Sequence, residues 1–157
     1  MKRPIAAAAM LVFAGLPAAA QTATDTQGQA AQPAPAQSQT PSRASKKLPE
    51  LVLGKDGDAF AVNQKDFELI AGQGYRWPIS SNGNLEYKFR TTLFRNVWMN
   101  QIVINDLEVH MDGGPAWLEF DAKGTMMVQF STVRPGEYEW WVEGLEDKGM
   151  KGKIIIK

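Results

Sequence analysis

The single histidine, His110, sits in Leu107-Glu-Val-His-Met-Asp112, where strand-like alternation places Glu108, His110 and Asp112 on one face. One imidazole with two carboxylates is a donor set for Zn²⁺ or Cu²⁺. Neighbouring same-face positions of a strand stand too far apart to chelate one ion easily, so the competing expectation is a solvated polar face. Thioethers are the other soft donors: Met99, Met111, Met126, Met127 and Met150 fall in the second half of the chain. Soft ligands suit Cu(I). No Met-x-x-Met run occurs, and Met126 and Met127 should point to opposite sides of a strand, so core packing is the main expectation for them. The chain has no Cys. Disulfides, a lipoprotein thioether anchor and any thiolate–metal bond are thereby excluded. No Ser–His–Asp relay and no Gly-rich phosphate loop ahead of a helix is present, so the sequence indicates no enzyme and no catalytic residues.

These residues must be positioned by strands. From residue 48 onward short alternating segments recur between Gly- and Pro-rich breaks: residues 51–53, 67–69, 75–79, 85–89, 97–105, 107–111, 117–120, 126–130 and 138–143. Ser80-Ser-Asn82-Gly83 carries the strongest hairpin signal. Gly54-Lys-Asp-Gly-Asp58 reads as a solvated turn, because the closing Glu of a calcium loop is missing. No window has the period of a long amphipathic helix. The pattern predicts one all-β domain over residues 48–157, an antiparallel sandwich or barrel. Of the chain's five Trp, seven Phe and three Tyr, all but Phe13 fall in it and can supply its core.

Residues 1–20 have the form of a secretory signal: Lys2 and Arg3, an apolar run over residues 5–16, and Ala18-Ala-Ala20 as the cleavage site. The apolar run is shorter than the roughly 20 residues of a spanning helix, so no transmembrane segment is expected after cleavage. Residues 21–47 are rich in Ala, Gln, Pro, Ser and Thr without an aromatic residue, the composition of a disordered linker. The expected location is a bacterial periplasm. Net charge is zero over the whole chain and about −2 once Lys2 and Arg3 are removed, so no basic field points to nucleic acid. A periplasmic protein partner is expected instead.

Residues 134–157 hold a Pro135-Gly136 turn, a strand, a loop ending Gly149-Met150, and a final β-branched run, Ile154-Ile-Ile156. This segment resembles the C-terminal signature of the cupredoxins, the blue-copper β-sandwich proteins such as plastocyanin. The resemblance implies a Greek-key antiparallel β-sandwich. It also implies that Val142, Leu145 and Met150 occupy the positions of the Cys, His and Met copper ligands, with Tyr87 at the position of the earlier His. Two aliphatic side chains and a phenol then replace three of the four ligands. Without a thiolate the blue centre cannot form, which implies a degenerate copper site and no cofactor. Cupredoxin relatives without copper serve as binding modules, and the resemblance accordingly suggests an accessory protein in copper or iron handling. The alternative is a non-blue metal binder, for copper or another ion, using His110, Met150 or nearby carboxylates.

Alternation in the strand after Pro135 puts Tyr138, Trp140 and Val142 on one face and Glu139, Trp141 and Glu143 on the other. The resemblance implies that the Val142 face is the inner one. Trp141 then stands on the outer face among Glu139, Glu143, Glu146 and Asp147. It is either an exposed anchor for a partner or a side chain covered by a neighbouring loop.

Overall fold

A computed structural model describes residues 40–157; the expected signal, residues 1–20, and most of the expected linker lie outside the described residues. Among the described residues twelve strands form two sheets. The first sheet contains β1 (Lys46–Lys47), β2 (Leu51–Lys55), β3 (Asp58–Val62), β5 (Gly74–Ser81), β7 (Val97–Ile104), β8 (Leu107–His110) and β10 (Gly124–Thr132), in the order β3-β2-β5-β10-β7-β8 with β1 also on β5. The second contains β4 (Asp66–Leu69), β6 (Tyr87–Thr91), β9 (Leu118–Phe120), β11 (Gly136–Val142) and β12 (Lys151–Ile156), in the order β4-β12-β11-β6-β9.

The expected β-sandwich is therefore present, with one correction to its strand directions. Each sheet is mixed: β1 and β2 run parallel to β5, and β4 runs parallel to β12. These pairs are joined through the opposite sheet or through other strands, not by hairpins, so chain direction is not forced to reverse between them. Order also begins before residue 48. Lys46 and Lys47 pair with Tyr75 and Arg76, inside the segment expected to be linker. The anchor is Gln73, a fully buried amide whose Oε1 accepts from Ser42 N–H at 2.7 Å and whose Nε2 donates to the Ala44 carbonyl at 2.8 Å.

Alternation on each strand fills the space between the sheets. Trp77 meets Phe67 edge-on at 4.9 Å and Phe89 at 5.7 Å, and Phe89 stacks on Trp140 at 5.9 Å. Such pairs add to the burial of large apolar area. Trp140 also needs a partner for its indole N–H and finds it in the Lys65 carbonyl at 2.7 Å. Only glycine fits at residue 152 beside that bond, since a Cβ there would collide with the Lys65 carbonyl. Pro78, which has no N–H to give a sheet, falls where the edge of β5 passes from β1 to β2.

The predicted Asn82-Gly83 hairpin is not one. Residues 82–86 carry the chain from β5 in the first sheet to β6 in the second. Gly83 does adopt φ +79, but Asn82 and Asn84 spend their side chains on the Gly54 and Lys55 carbonyls of the β2–β3 turn. A tight hairpin lies instead at Asn105-Asp106, where both residues have positive φ, 49° and 64°, between the paired strands β7 and β8.

Candidate functional site

The β11–β12 loop brings three of the implied copper-site positions together. Val142 ends β11, and its N–H donates to the Met150 carbonyl at 2.9 Å. Leu145 N–H donates to the Val142 carbonyl at 3.0 Å, and Met150 N–H reaches the Leu145 carbonyl at 3.3 Å. A turn of 3₁₀ helix, Glu146–Lys148, closes the loop, and Gly149 at φ 87° lets it return into β12. Val142 and Met150 are fully buried, and Leu145 packs partly buried against the same core.

Tyr87 stands at the same end. Val142 pairs with Phe89, so Tyr87 is the next inward-facing position of β6 beyond that pair. It is fully buried, and its hydroxyl donates to the Ala59 carbonyl at 2.7 Å. A Cβ at Gly54, φ +75, would collide with that hydroxyl, so the backbone of β2 is bulged and bare where the phenol arrives. Burial, with the Asp58 carboxylate adding to it, raises the phenol above its ordinary pKa. The phenol is held neutral, with its proton committed to a backbone acceptor. Two alkyl groups, one thioether and a neutral, donating phenol do not fit a copper ion, which takes imidazole or thiolate lone pairs.

The alternative pairing of His110 with Met150 is not assembled. His110 is exposed on β8, at the edge of the first sheet, whereas Met150 is buried beside the second. On the exposed face of β8, His110 Nε2 lies 3.3 Å from Glu108 Oε2, and Gln101 Nε2 donates to the other carboxylate oxygen at 2.9 Å. Long side chains lean together across the pleat spacing.

Trp141 does face outward, but its surroundings differ from the expected ring of acids. Its cross-strand neighbours are Lys151 on β12 and Arg90 on β6, and the Arg90 guanidinium lies 4.9 Å from the Trp117 ring. The outer row thus reads Lys151, Trp141, Arg90, Trp117, cation and indole in turn. Glu143 pairs with Arg90 and is not free. Trp141 is half-buried and forms one wall of an open groove of about 720 Å³, with Lys65, Lys151 and Lys153 facing Asp66, Glu139 and Glu146 around it.

Sequence reading missed Glu86, Glu119 and Asp121, whose carboxylate oxygens lie within 4.8 Å of one another on the exposed surface at β6 and β9. Glu119 is held below its usual pKa by the Trp117 N–H, at 2.8 Å, and by a bond from Glu86, which is pushed up by sharing that proton with Glu119. Glu86 and Glu119 are far apart in sequence, and only the pairing of β6 with β9 joins them.

Sequence comparison matches the chain to no protein-family model and to no curated protein. Structural comparison finds neighbours. The fold is similar to the McoA multicopper oxidase of the hyperthermophile Aquifex aeolicus (TM-score 0.57, 14% identity, 73% of this chain). It is also similar to a multicopper oxidase of Campylobacter jejuni (TM-score 0.54, 14% identity, 74% of this chain). A third neighbour is the Cu-containing nitrite reductase of Thermus scotoductus (TM-score 0.53, 14% identity, 71% of this chain). The matches take in 30%, 31% and 30% of those chains, so this chain spans less than a third of each. Identity this low speaks to architecture and not to activity: the chain has a cupredoxin-like β-sandwich fold.

Proposed function

We propose that this chain is an exported periplasmic binding or accessory module, without a blue-copper centre and without catalysis of its own, working near copper or iron handling. The observation that carries this reading is the content of the loop end: Val142, Leu145, Met150 and a hydrogen-bonded Tyr87, in a chain with no Cys. A side-chain set of this kind packs and does not ligate. The outer face of β11 supplies the complementary support. Trp141, flanked by Lys151 and Arg90 and opening on a groove, has the size and half-exposure of an interface anchor. Its protein partner would lay apolar side chains on the indole and set acids against the flanking cations.

Two measurements test this together. Calorimetric titration of the chain with Cu(I), Cu(II) and Zn(II) should show no stoichiometric uptake and no rise in Tm, since a ion held only by the folded state would stabilise it. Uptake abolished by Met150→Ala would establish the non-blue metal binder instead. Capture from periplasmic extract should retain a protein whose affinity falls by about tenfold or more in Trp141→Ala. A partner bound equally by that variant places the interface elsewhere.

A further inference from the structure

Among the described residues nothing pairs with the outer edge of β8, the last strand of the first sheet, and all four of its residues are exposed. Sheet edges usually carry a device against pairing, such as a bulge, a proline or an inward lysine. β8 carries none of these between Leu107 and His110; its shortness and Glu108 limit pairing along the edge without blocking it. Leu107 and Val109 are 72% and 52% exposed. Their pairing with Ile104 and Ile102 puts them on the inner face of the sheet, where they prolong the core rows beyond the cover of the second sheet.

The free backbone groups of this edge can be assigned. Met111 N–H, just past the strand, donates to the Asn100 carbonyl of β7. By alternation Val109 and Leu107 also turn their backbone groups to β7, and Glu108 and His110 turn theirs outward. A second copy related by a two-fold axis perpendicular to the sheet could add its own β8 in two registers that keep apolar faces together. One sets Glu108 against Glu108. The other sets Val109 against Val109, Leu107 against Met111, and Glu108 against His110 twice over. Like charges directly opposite each other are destabilising, whereas an imidazole N–H can donate to a carboxylate across from it, so the second register is selected.

We infer that β8 is a self-association edge, through which two copies of this chain join antiparallel with Val109 on the two-fold axis and Glu108 facing the second copy's His110. Gln101 and the 3.3 Å contact between Glu108 and His110 already hold these side chains in the outer-face positions that the second copy meets. The strand is four residues long, well short of the area that a permanent dimer buries, so the association is reversible and weak.

Sedimentation velocity on the full chain over a concentration series tests this. The expected result is a monomer–dimer equilibrium with Kd between about 10 μM and 1 mM. Val109→Lys should leave only monomer while far-ultraviolet circular dichroism stays that of the native fold. Should that variant unfold, Leu107→Lys at the more exposed position replaces it. Glu108→Lys should weaken association about tenfold, and adding His110→Glu should restore it, because each Lys then faces a Glu. Monomer alone up to about 1 mM overturns the inference. So does a dimer that tolerates Val109→Lys, or one that ignores Glu108→Lys.

Discussion

At the scale of single residues, Tyr87 decides what the loop end is. A phenol at a position that the resemblance assigns to a histidine ligand is not idle volume, because its hydroxyl closes a buried hydrogen bond to Ala59 and fills the space kept open by Gly54. Tyr87→Phe keeps the ring and strands the Ala59 carbonyl. The expected cost is about 1–3 kcal/mol in urea unfolding, the range for an unpaired buried polar group. The phenol also fixes a pH dependence. Its pKa is raised by burial and by Asp58, and that of Tyr75 by burial, against a partly offsetting bond to Ile70 N–H. A group that binds its proton more tightly when folded contributes stability below its unfolded value, here 10.0, and that contribution is lost as pH rises through the folded value. Unfolding midpoints should therefore fall above pH 10, and fall less steeply in Tyr87→Phe. Equal slopes in the two proteins would show that Tyr87 is not the titrating group. That a tyrosine stands at this position was legible in the sequence. Its hydrogen bond was not, because Ala59 lies on another strand and is joined to it only by the packing of the two sheets.

At the scale of elements, the C-terminal hairpin was the most readable part. Alternation from Tyr138 to Val142 and the Gly149-Met150 return into β12 are local signals, and the burial of β11 follows them. The Asn-Gly signal at residues 82–83 failed for an equally physical reason. A dipeptide reports the backbone bend it favours, but whether the next strand pairs with the last one depends on which sheet has room. The sharp turn at Asn105-Asp106 lacks glycine and gave a weaker signal for a tighter bend. Because the β11–β12 loop holds Val142, Leu145 and Met150 on one another by backbone bonds, it should tolerate new side chains without losing its path. The triple substitution Val142→Cys, Leu145→His and Tyr87→His, with Met150 kept, then places a thiolate, two imidazoles and a thioether at one end of the sandwich. Adding Cu(II) should give the strong visible absorption of a copper–thiolate bond. A colourless protein that still melts as a single folded species would mean that the four positions do not converge on one point.

At the scale of the whole molecule, two sheets that share one aromatic core explain why so little local sequence is needed to specify the architecture, and why so little of it specifies function. The inner faces are set by alternation, which many sequences satisfy; the neighbours in the structural comparison share the fold at 14% identity. What distinguishes this chain lies on the surfaces that alternation leaves free: the Lys151–Trp141–Arg90–Trp117 row, the bare edge of β8, and the polar tie between residues 42–47 and the body. The last of these was hidden by composition, because a Ser-, Ala- and Lys-rich segment has no apolar face to announce it. It is held by hydrogen bonds to Gln73 and by the pairing of Lys46 and Lys47 with β5. Its removal would leave the Gln73 Oε1 without its Ser42 donor, and Nε2 with the Gly74 carbonyl alone. A chain starting at Thr40 should unfold at the same denaturant midpoint as one starting at Gln21. A chain starting at Leu48 should lose on the order of 2 kcal/mol, the penalty for stranding one buried acceptor. Gln73→Leu in the chain from Leu48 should recover part of that loss, because an apolar group of similar volume leaves no polar atom unpaired. If the two shorter chains prove equally stable, residues 42–47 lie on the domain without supporting it.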